Sequence, residues 1–293
     1  MEKPVQFYSE NIPMAGVLFV PDDLSAGQTR PGIVMCHGFT AVKEVMLPEI
    51  ARRLVGLGYV VLTFDYRFLG ASGGEPRRQI IPLRQIEDIR NAVTFLQLQP
   101  EVDPERLGLF GVSLGGANVS YAAGVEARVK ATISVCGIGD CGRWIRDACH
   151  FWEWRALLQR LEADRARRVL SGELEYVQAN EIVPEPDSTT ALFGQILDQY
   201  PQWSREISLS SGLPMMAYKP ESVVADIAPR AILWLHGDAD ERVSMEESQS
   251  MYAKAGEPKK IVILPGLGHS DILTGPGLDQ SLPHIKAWYA QHL

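Results

Sequence analysis

A serine set between glycines opens the chemical reading of this chain. Gly111-Val112-Ser113-Leu114-Gly115, followed at once by Gly116, has the form of a tight strand-to-helix turn. Such a turn holds its serine in a strained backbone and pushes the hydroxyl into solvent, and a Cβ at either flank would crowd the neighbouring strand and helix. A serine hydroxyl is a weak nucleophile at neutral pH, so it needs a base, and the base needs an orienting carboxylate. Downstream, His236-Gly-Asp-Ala-Asp240-Glu-Arg-Val243 offers two carboxylates, Asp238 and Asp240, and Gly266-Leu-Gly-His-Ser270 offers the imidazole of His269. Acyl chemistry also needs donors for an oxyanion. The backbone N–H of Leu114, at the start of a helix, is one candidate. The N–H of Phe39, in the turn His37-Gly38-Phe39-Thr40, is the other.

The elements that must position these groups are legible as alternating strands and helices. Val17–Val20 reads as an early antiparallel strand paired with Val5–Tyr8. Strands follow at Gly32–Cys36, Tyr59–Phe64, Arg106–Phe110, Lys130–Val135, Ala231–Leu235 and Lys260–Leu264. Helices are expected over Pro48–Leu57, closed by Gly58, and over Ile86–Leu98, with Ile86, Ile89, Val93 and Leu96 on one face. Another opens near Ser113, and another spans Met245–Ala255, where Ser244 and Glu247 form a capping box. A last helix begins near Pro283, with Ile285, Trp288 and Tyr289 as its apolar face. Short connections between alternating elements argue for a mostly parallel, doubly wound sheet whose strand ends gather the site.

Between Ile138 and about Pro220 the rhythm breaks. No strand is expected there, but Trp154, Leu157, Leu158 and Leu161 keep helical spacing, and Leu192, Ile196 and Tyr200 repeat every four residues after an Asp187-Ser188 cap. This stretch reads as a helical insertion over one edge of the sheet. Four of the six tryptophans (Trp144, Trp152, Trp154 and Trp203) fall within it. An insertion roofing a serine site would supply apolar pocket walls, for which Trp144, Phe151, Trp152 and Met215 are the candidates.

Composition narrows the function classes. The 293 residues are 46% hydrophobic and 22% charged, enough apolar material for a sizeable core. With 36 acidic and 28 basic side chains the formal charge is −8, which disfavours nucleic acid as a partner. No apolar run approaches the ~20 residues of a membrane span, and the N-terminal residues lack a signal-peptide pattern, so a cytoplasmic location without membrane association is expected. Cys36, Cys136, Cys141 and Cys149 make no disulfide framework. With His150 the last three match no common zinc spacing, so neither metal nor cofactor is expected. Bland roles suit other residues. His37 and His236 close buried strands as hydrogen-bonded structural groups, and His284 and His292 ride on the last helix. Asp65 and Arg67 make a structural ion pair or loop anchor, and Arg160, Arg165, Arg167 and Arg168 form a solvated helix face.

Taken together, these motifs resemble a serine hydrolase of the α/β-hydrolase superfamily, most similar to its dienelactone-hydrolase and prolyl-oligopeptidase-like branch of small-molecule acyl esterases. The likeness rests on His37-Gly38-Phe39, Phe64-Asp-Tyr-Arg-Phe-Leu-Gly-Ala-Ser-Gly73, Gly111-Val-Ser-Leu-Gly115, His236-Gly-Asp-Ala-Asp240 and Gly268-His269, in that order. It implies an α/β-hydrolase fold, with residues 1–137 and 221–293 as core and 138–220 as helical cap. In that branch the acid stands three residues after the glycine of the His-Gly motif, which selects Asp240 over Asp238. The implied set is Ser113, Asp240 and His269, with Phe39 and Leu114 as oxyanion donors. The expected reaction is cleavage of a carboxylic ester or thioester of a moderately sized apolar or aromatic small molecule through an acyl-enzyme. The rival readings are an acyltransferase on the same triad, a carbon–carbon bond hydrolase or aminopeptidase, and a non-catalytic binder. The oligomeric state, a homodimer included, is left open.

Overall fold

The computed structural model describes residues 1–25 and 27–293, the side chains of residues 188, 192 and 195 excepted. Its frame is an eight-stranded sheet in the order β1-β2-β4-β3-β5-β6-β9-β10. The antiparallel hairpin β1 (Glu2–Ser9) and β2 (Ile12–Phe19) forms one edge, and β2 runs antiparallel to β4 (Val60–Phe64). The rest pair in parallel: β3 (Arg30–Cys36), β5 (Val102–Val112), β6 (Val129–Val135), β9 (Ala231–Gly237) and β10 (Lys259–Leu264). Parallel strands need crossovers, and helices supply them on both faces. Alternate residues of β3 enter opposite cores. Val34 and Cys36 pack with α2 (Pro82–Gln97) and α3 (Leu114–Val125), while Ile33 and Met35 pack with α1 (Leu47–Val55) and α9 (Gly275–His292). The inner strands therefore read as apolar runs, because each is covered twice.

The boundaries differ from the sequence reading where a proline or a distant partner decides. Helix α2 begins at Pro82, whose fixed φ suits a first helical position, four residues before the expected start. Helix α9 begins at Gly275, with Pro276 in its first turn, and Pro283 lies inside it; Ile285, Trp288 and Tyr289 are buried as expected. At α8 (Met245–Lys254) only half of the capping box forms. Ser244 accepts from the Glu246 amide, but the Glu247 carboxylate turns away to accept from the amides of Gly139 (2.8 Å) and Asp140 (2.9 Å) and to pair with Arg143 (2.6 Å). A buried carboxylate is better served by two amides and a guanidinium than by one cap.

Residues 138–220 hold α4 (Cys141–Asp147), α5 (Phe151–Ser171), α6 (Asp187–Ile196) and α7 (Gly212–Met216). The expectation of no strand is corrected. β7 (Tyr176–Gln178) and β8 (Glu206–Ser208) pair antiparallel as a separate two-stranded ribbon. Strands of three residues leave no alternation long enough to read, and their pairing is set across a stretch that contains α6. α5 buries Leu157 and Leu161 and also Asp164, which Arg167 and Arg168 hold at 2.6 and 2.7 Å. Pro186, not Asp187, stands at the N-cap of α6. The Ser188 and Leu192 side chains of the expected cap and repeat lie outside the described ones.

Asp65 and Arg67 both prove to be anchors, but with separate partners. Asp65 accepts from Lys43 Nζ (2.8 Å) and from the amides of Lys43 and Ala71. Arg67, almost fully buried, donates to Asp88 of α2 and to Ser9 and Glu10 at the hairpin. It thereby fastens the antiparallel edge to the parallel body. Replacing Arg67 by Met leaves the Asp88 carboxyl buried without its cation and should cost about 3–5 kcal/mol of stability, read as a lowered urea midpoint.

Candidate active site

The turn after β5 behaves as its glycines require. Ser113 has φ 59° and ψ −122°, a conformation L-residues rarely hold, and its amide donates to Val135 O at 2.8 Å. A Cβ on Gly111 would press into the carbonyl of Gly115, and one on Gly115 would meet the carbonyls of Cys36 and His37. The turn can thus pack between β3 and α3 only with both glycines present. The loop after β3 closes on it from the other side, where Gly38 lies against Ser113 Cβ and Thr40 takes φ 59°. Neither the Phe39 nor the Leu114 amide has an acceptor among the described residues. The Ser113 hydroxyl makes no protein hydrogen bond there either, and the one side-chain hydrogen bond of His269 among the described residues runs to Asp240.

The carboxylate that faces His269 is that of Asp240. Its Oδ2 lies 2.7 Å from His269 Nδ1 and 3.2 Å from His236 Nε2, while its Oδ1 accepts from the amides of Arg242 and Val243, both at 2.9 Å. Asp238 is used otherwise, accepting from the Gly266 amide at 2.6 Å. Burial alone would raise the Asp240 pKa. The hydrogen bonds from His236 and His269 outweigh it, with the His269 charge and the Val243 amide adding to them, and hold the carboxyl well below the usual range. Burial pushes the His269 imidazole down, and Asp240 offsets only part of that. Nδ1–H is therefore directed at Asp240, which leaves Nε2 as a free base.

Sequence reasoning placed His236 among structural residues, yet it touches the site's acid. Its Nδ1 meets Ser248 Oγ at 2.8 Å, and its Nε2, 2.9 Å from Val243 O, also faces Asp240. Cys136, at φ 48°, is the other missed neighbour. Its Sγ, one oxygen of Asp240 and one ring nitrogen of His269 lie within 4.8 Å of one another. Burial holds the Cys136 thiol well above its usual pKa, so it stands beside Asp240 as S–H. His37 lines the cavity, its ring fixed by Gly38 O at 3.0 Å. His284 and His292 lie on α9.

Ser113 and His269 share one narrow cavity of about 60 Å³, walled by Phe39, Val45, Met46 and Leu47 and roofed by Phe193 and Trp203 of the 138–220 segment. The four expected wall residues are placed elsewhere. Phe151 and Trp152, at the solvent-facing start of α5, are 69% and 68% exposed, and Met215 is fully buried among core side chains. Trp144 stands behind the cavity, edge-on to Phe39, its indole N–H donating to Arg242 O at 2.7 Å. Trp203 was visible in the sequence only as one tryptophan among four. Phe193 carried no signal, since its place depends on where α6 docks.

Comparison with known proteins gives a consistent family. A profile described as the alpha/beta hydrolase family matches residues 33–277. The thiohydrolase aneE of Aspergillus aculeatus is 30% identical over 261 residues, covering 85% of this chain and 81% of its own. The polyketide transferase grgF of a Penicillium species is 30% identical, covering 85% and 84%. The crystal structure of the alpha/beta hydrolase GrgF superposes with a TM-score of 0.85 at 26% identity, over 100% of this chain and 99% of that one. A hypothetical protein of Pseudomonas aeruginosa gives 0.87 at 27% identity, over 100% and 94%.

Because burial disfavours the imidazolium, the His269 ring should titrate below the ordinary value of 6.5 and be neutral at pH 7. Ring-proton NMR across pH 4–8 checks this, and a midpoint above 6.5 would contradict the buried geometry.

Proposed function

The chain belongs to the alpha/beta hydrolase family, and from that premise we propose that it transfers acyl groups from a thioester or carboxylic ester through a covalent Ser113 intermediate. The observation that carries the reading is that one cavity holds both Ser113, on its strained turn, and the His269 imidazole, whose far nitrogen lies 2.7 Å from Asp240. Ser113 Oγ attacks the substrate carbonyl carbon while His269 Nε2 takes its proton. Asp240 keeps the ring in the required tautomer and stabilises the imidazolium. The tetrahedral oxyanion is met by the amides of Phe39 and Leu114, the second aided by the N-terminus of α3. Collapse breaks the carbon–sulfur or carbon–oxygen bond, and the leaving thiol or alcohol takes the proton from His269. A second nucleophile, deprotonated by the same nitrogen, then releases the acyl group.

Water as that nucleophile makes the protein a hydrolase, and an alcohol or amine makes it an acyltransferase. The relatives carry both kinds of name, thiohydrolase and polyketide transferase, which supports keeping the two outcomes on one acyl-enzyme. We read residues 138–220 as a cap whose Phe193 and Trp203 restrict the site to small-molecule substrates with an apolar stem.

A fluorophosphonate probe should label the protein stoichiometrically at Ser113, and Ser113→Ala should abolish labelling and lower kcat on an activated thioester by at least about 10⁴-fold. Adding a competing alcohol or amine during turnover separates transfer from hydrolysis by product analysis. Undiminished labelling and turnover in Ser113→Ala would overturn the reading.

A further inference from the structure

Two guanidinium groups and one carboxylate stand together beside the cavity, and Arg242 of the three lines it. Arg205 Nη2 donates to Glu185 Oε1 at 2.6 Å, an oxygen that Thr190 also reaches at 3.1 Å. Arg242 Nη2 meets the other oxygen, Oε2, at 3.5 Å. All three are largely withdrawn from water, Glu185 being 5% exposed, Arg205 11% and Arg242 14%. Both cations lie over the Phe193 ring, at 4.5 Å from Arg205 and 5.0 Å from Arg242. Two positive charges thus share one negative charge. Arg242 also feels the Asp240 charge and faces the Cys136 thiol. The oxygens of Asp240, however, are already taken by two histidines and two amides.

A guanidinium presents five N–H donors and stays charged at any working pH, and the one side-chain hydrogen bond of Arg242 among the described residues is its 3.5 Å contact with Glu185. Arg205 Nη1 is buried without a partner among the described residues, and so is Trp203 Nε1. Arg242 and Trp203 both line the cavity that holds Ser113, and Arg242 is its one lining residue of full charge among the described residues, the histidines aside. Apart from Ser113, Ser270 and the two histidines, the remaining wall is apolar. A cation with a single long side-chain contact beside a nucleophile, in a site lined mostly by hydrocarbon, is arranged for an anion that arrives with the substrate.

We propose that Arg242 recognises an anionic group of the substrate, with the Trp203 indole N–H as a second donor. This deepens the acyl-transfer reading above and rests on it. The same chemistry could be offered by a carboxylate on the acyl chain or by a phosphate on the thiol carrier. Either would complete the Arg242 hydrogen bonds as the carbonyl reaches Ser113. A purely structural Arg242, latching the cap through Glu185, would affect charged and neutral substrates alike.

Two pairs of thioesters distinguish the sources. Hexanoyl and adipoyl N-acetylcysteamine place the charge on the acyl chain, and hexanoyl pantetheine with and without its phosphate places it on the carrier. In at least one pair the native protein should favour the charged member by about 10–100-fold in kcat/KM, the usual effect of a charge-assisted contact. Arg242→Gln should bring that ratio close to one, and Arg242→Lys should keep part of it. Equal kcat/KM within both pairs for the native protein would overturn the proposal without recourse to any variant, as would a preference that survives in Arg242→Gln. Fluorophosphonate labelling of each protein is run alongside. If the native protein is not labelled, the Ser113 reading fails; if it is labelled but does not discriminate, only the Arg242 assignment fails.

Discussion

Asp240 is a carboxylate withdrawn from water, and the groups that keep it ionised come from three stretches of chain. Its own turn supplies the amides of Arg242 and Val243, the end of β9 supplies His236 and the loop after β10 supplies His269, while the Cys136 thiol after β6 stands beside them. An ion placed at such depth is tolerated only where every lone pair is met, so these segments have little freedom to drift apart. The sheet order makes the convergence possible. β3, β5, β6, β9 and β10 are consecutive parallel neighbours, and their carboxyl ends carry Phe39, Ser113, Cys136, Asp240 and His269 in turn. One rim of one sheet thereby collects groups that lie as far apart in the chain as Phe39 and His269.

The 138–220 segment is fastened to the sheet both by polar contacts and by an apolar core shared with it, in which Ile145, Leu161, Ile207 and Met215 join one cluster with Phe39 and Leu114. Glu247 reaches from α8 to the amides of Gly139 and Asp140 and to Arg143, Trp144 donates to the Arg242 carbonyl, and Glu185 faces both Arg205 and Arg242. A second, smaller apolar contact forms where Phe193, Trp203 and Tyr200 meet Val42, Val45 and Met46 above the cavity.

What could be read from the sequence divides along the same line as local and distant causes. The turn at Ser113 was legible because its reasons are confined to a few residues: glycines at the two crowded positions and a serine between them. Strands β3 to β6 and β9 were legible because burial on both faces writes an apolar run, and β10 because Ile261 to Leu264 keep one at the edge. The α9 start was misplaced because a proline suits a first turn, and nothing nearby tells that Pro276 rather than Pro283 fills it. Glu247 was assigned to a local cap because its true partners lie more than a hundred residues away. The roof was misjudged for the same reason: exposure of Trp152 and enclosure of Phe193 are decided by how α5 and α6 dock, and helical spacing alone does not encode it. His236 looked structural because a histidine ending a strand usually is, and its closeness to Asp240 depends on the fold of the turn between them.

The turn from Asp240 to Val243 divides its labour between main chain and side chain. The peptide groups of Arg242 and Val243 hold the acid whatever side chain stands at 242, while the guanidinium alone looks into the cavity. Descendants of this sequence could therefore exchange the residue at 242 and acquire a new taste in substrates while inheriting the reactive apparatus intact. Diversification within such a lineage would be concentrated at positions of this kind, where the backbone serves the old duty and frees the side chain to explore.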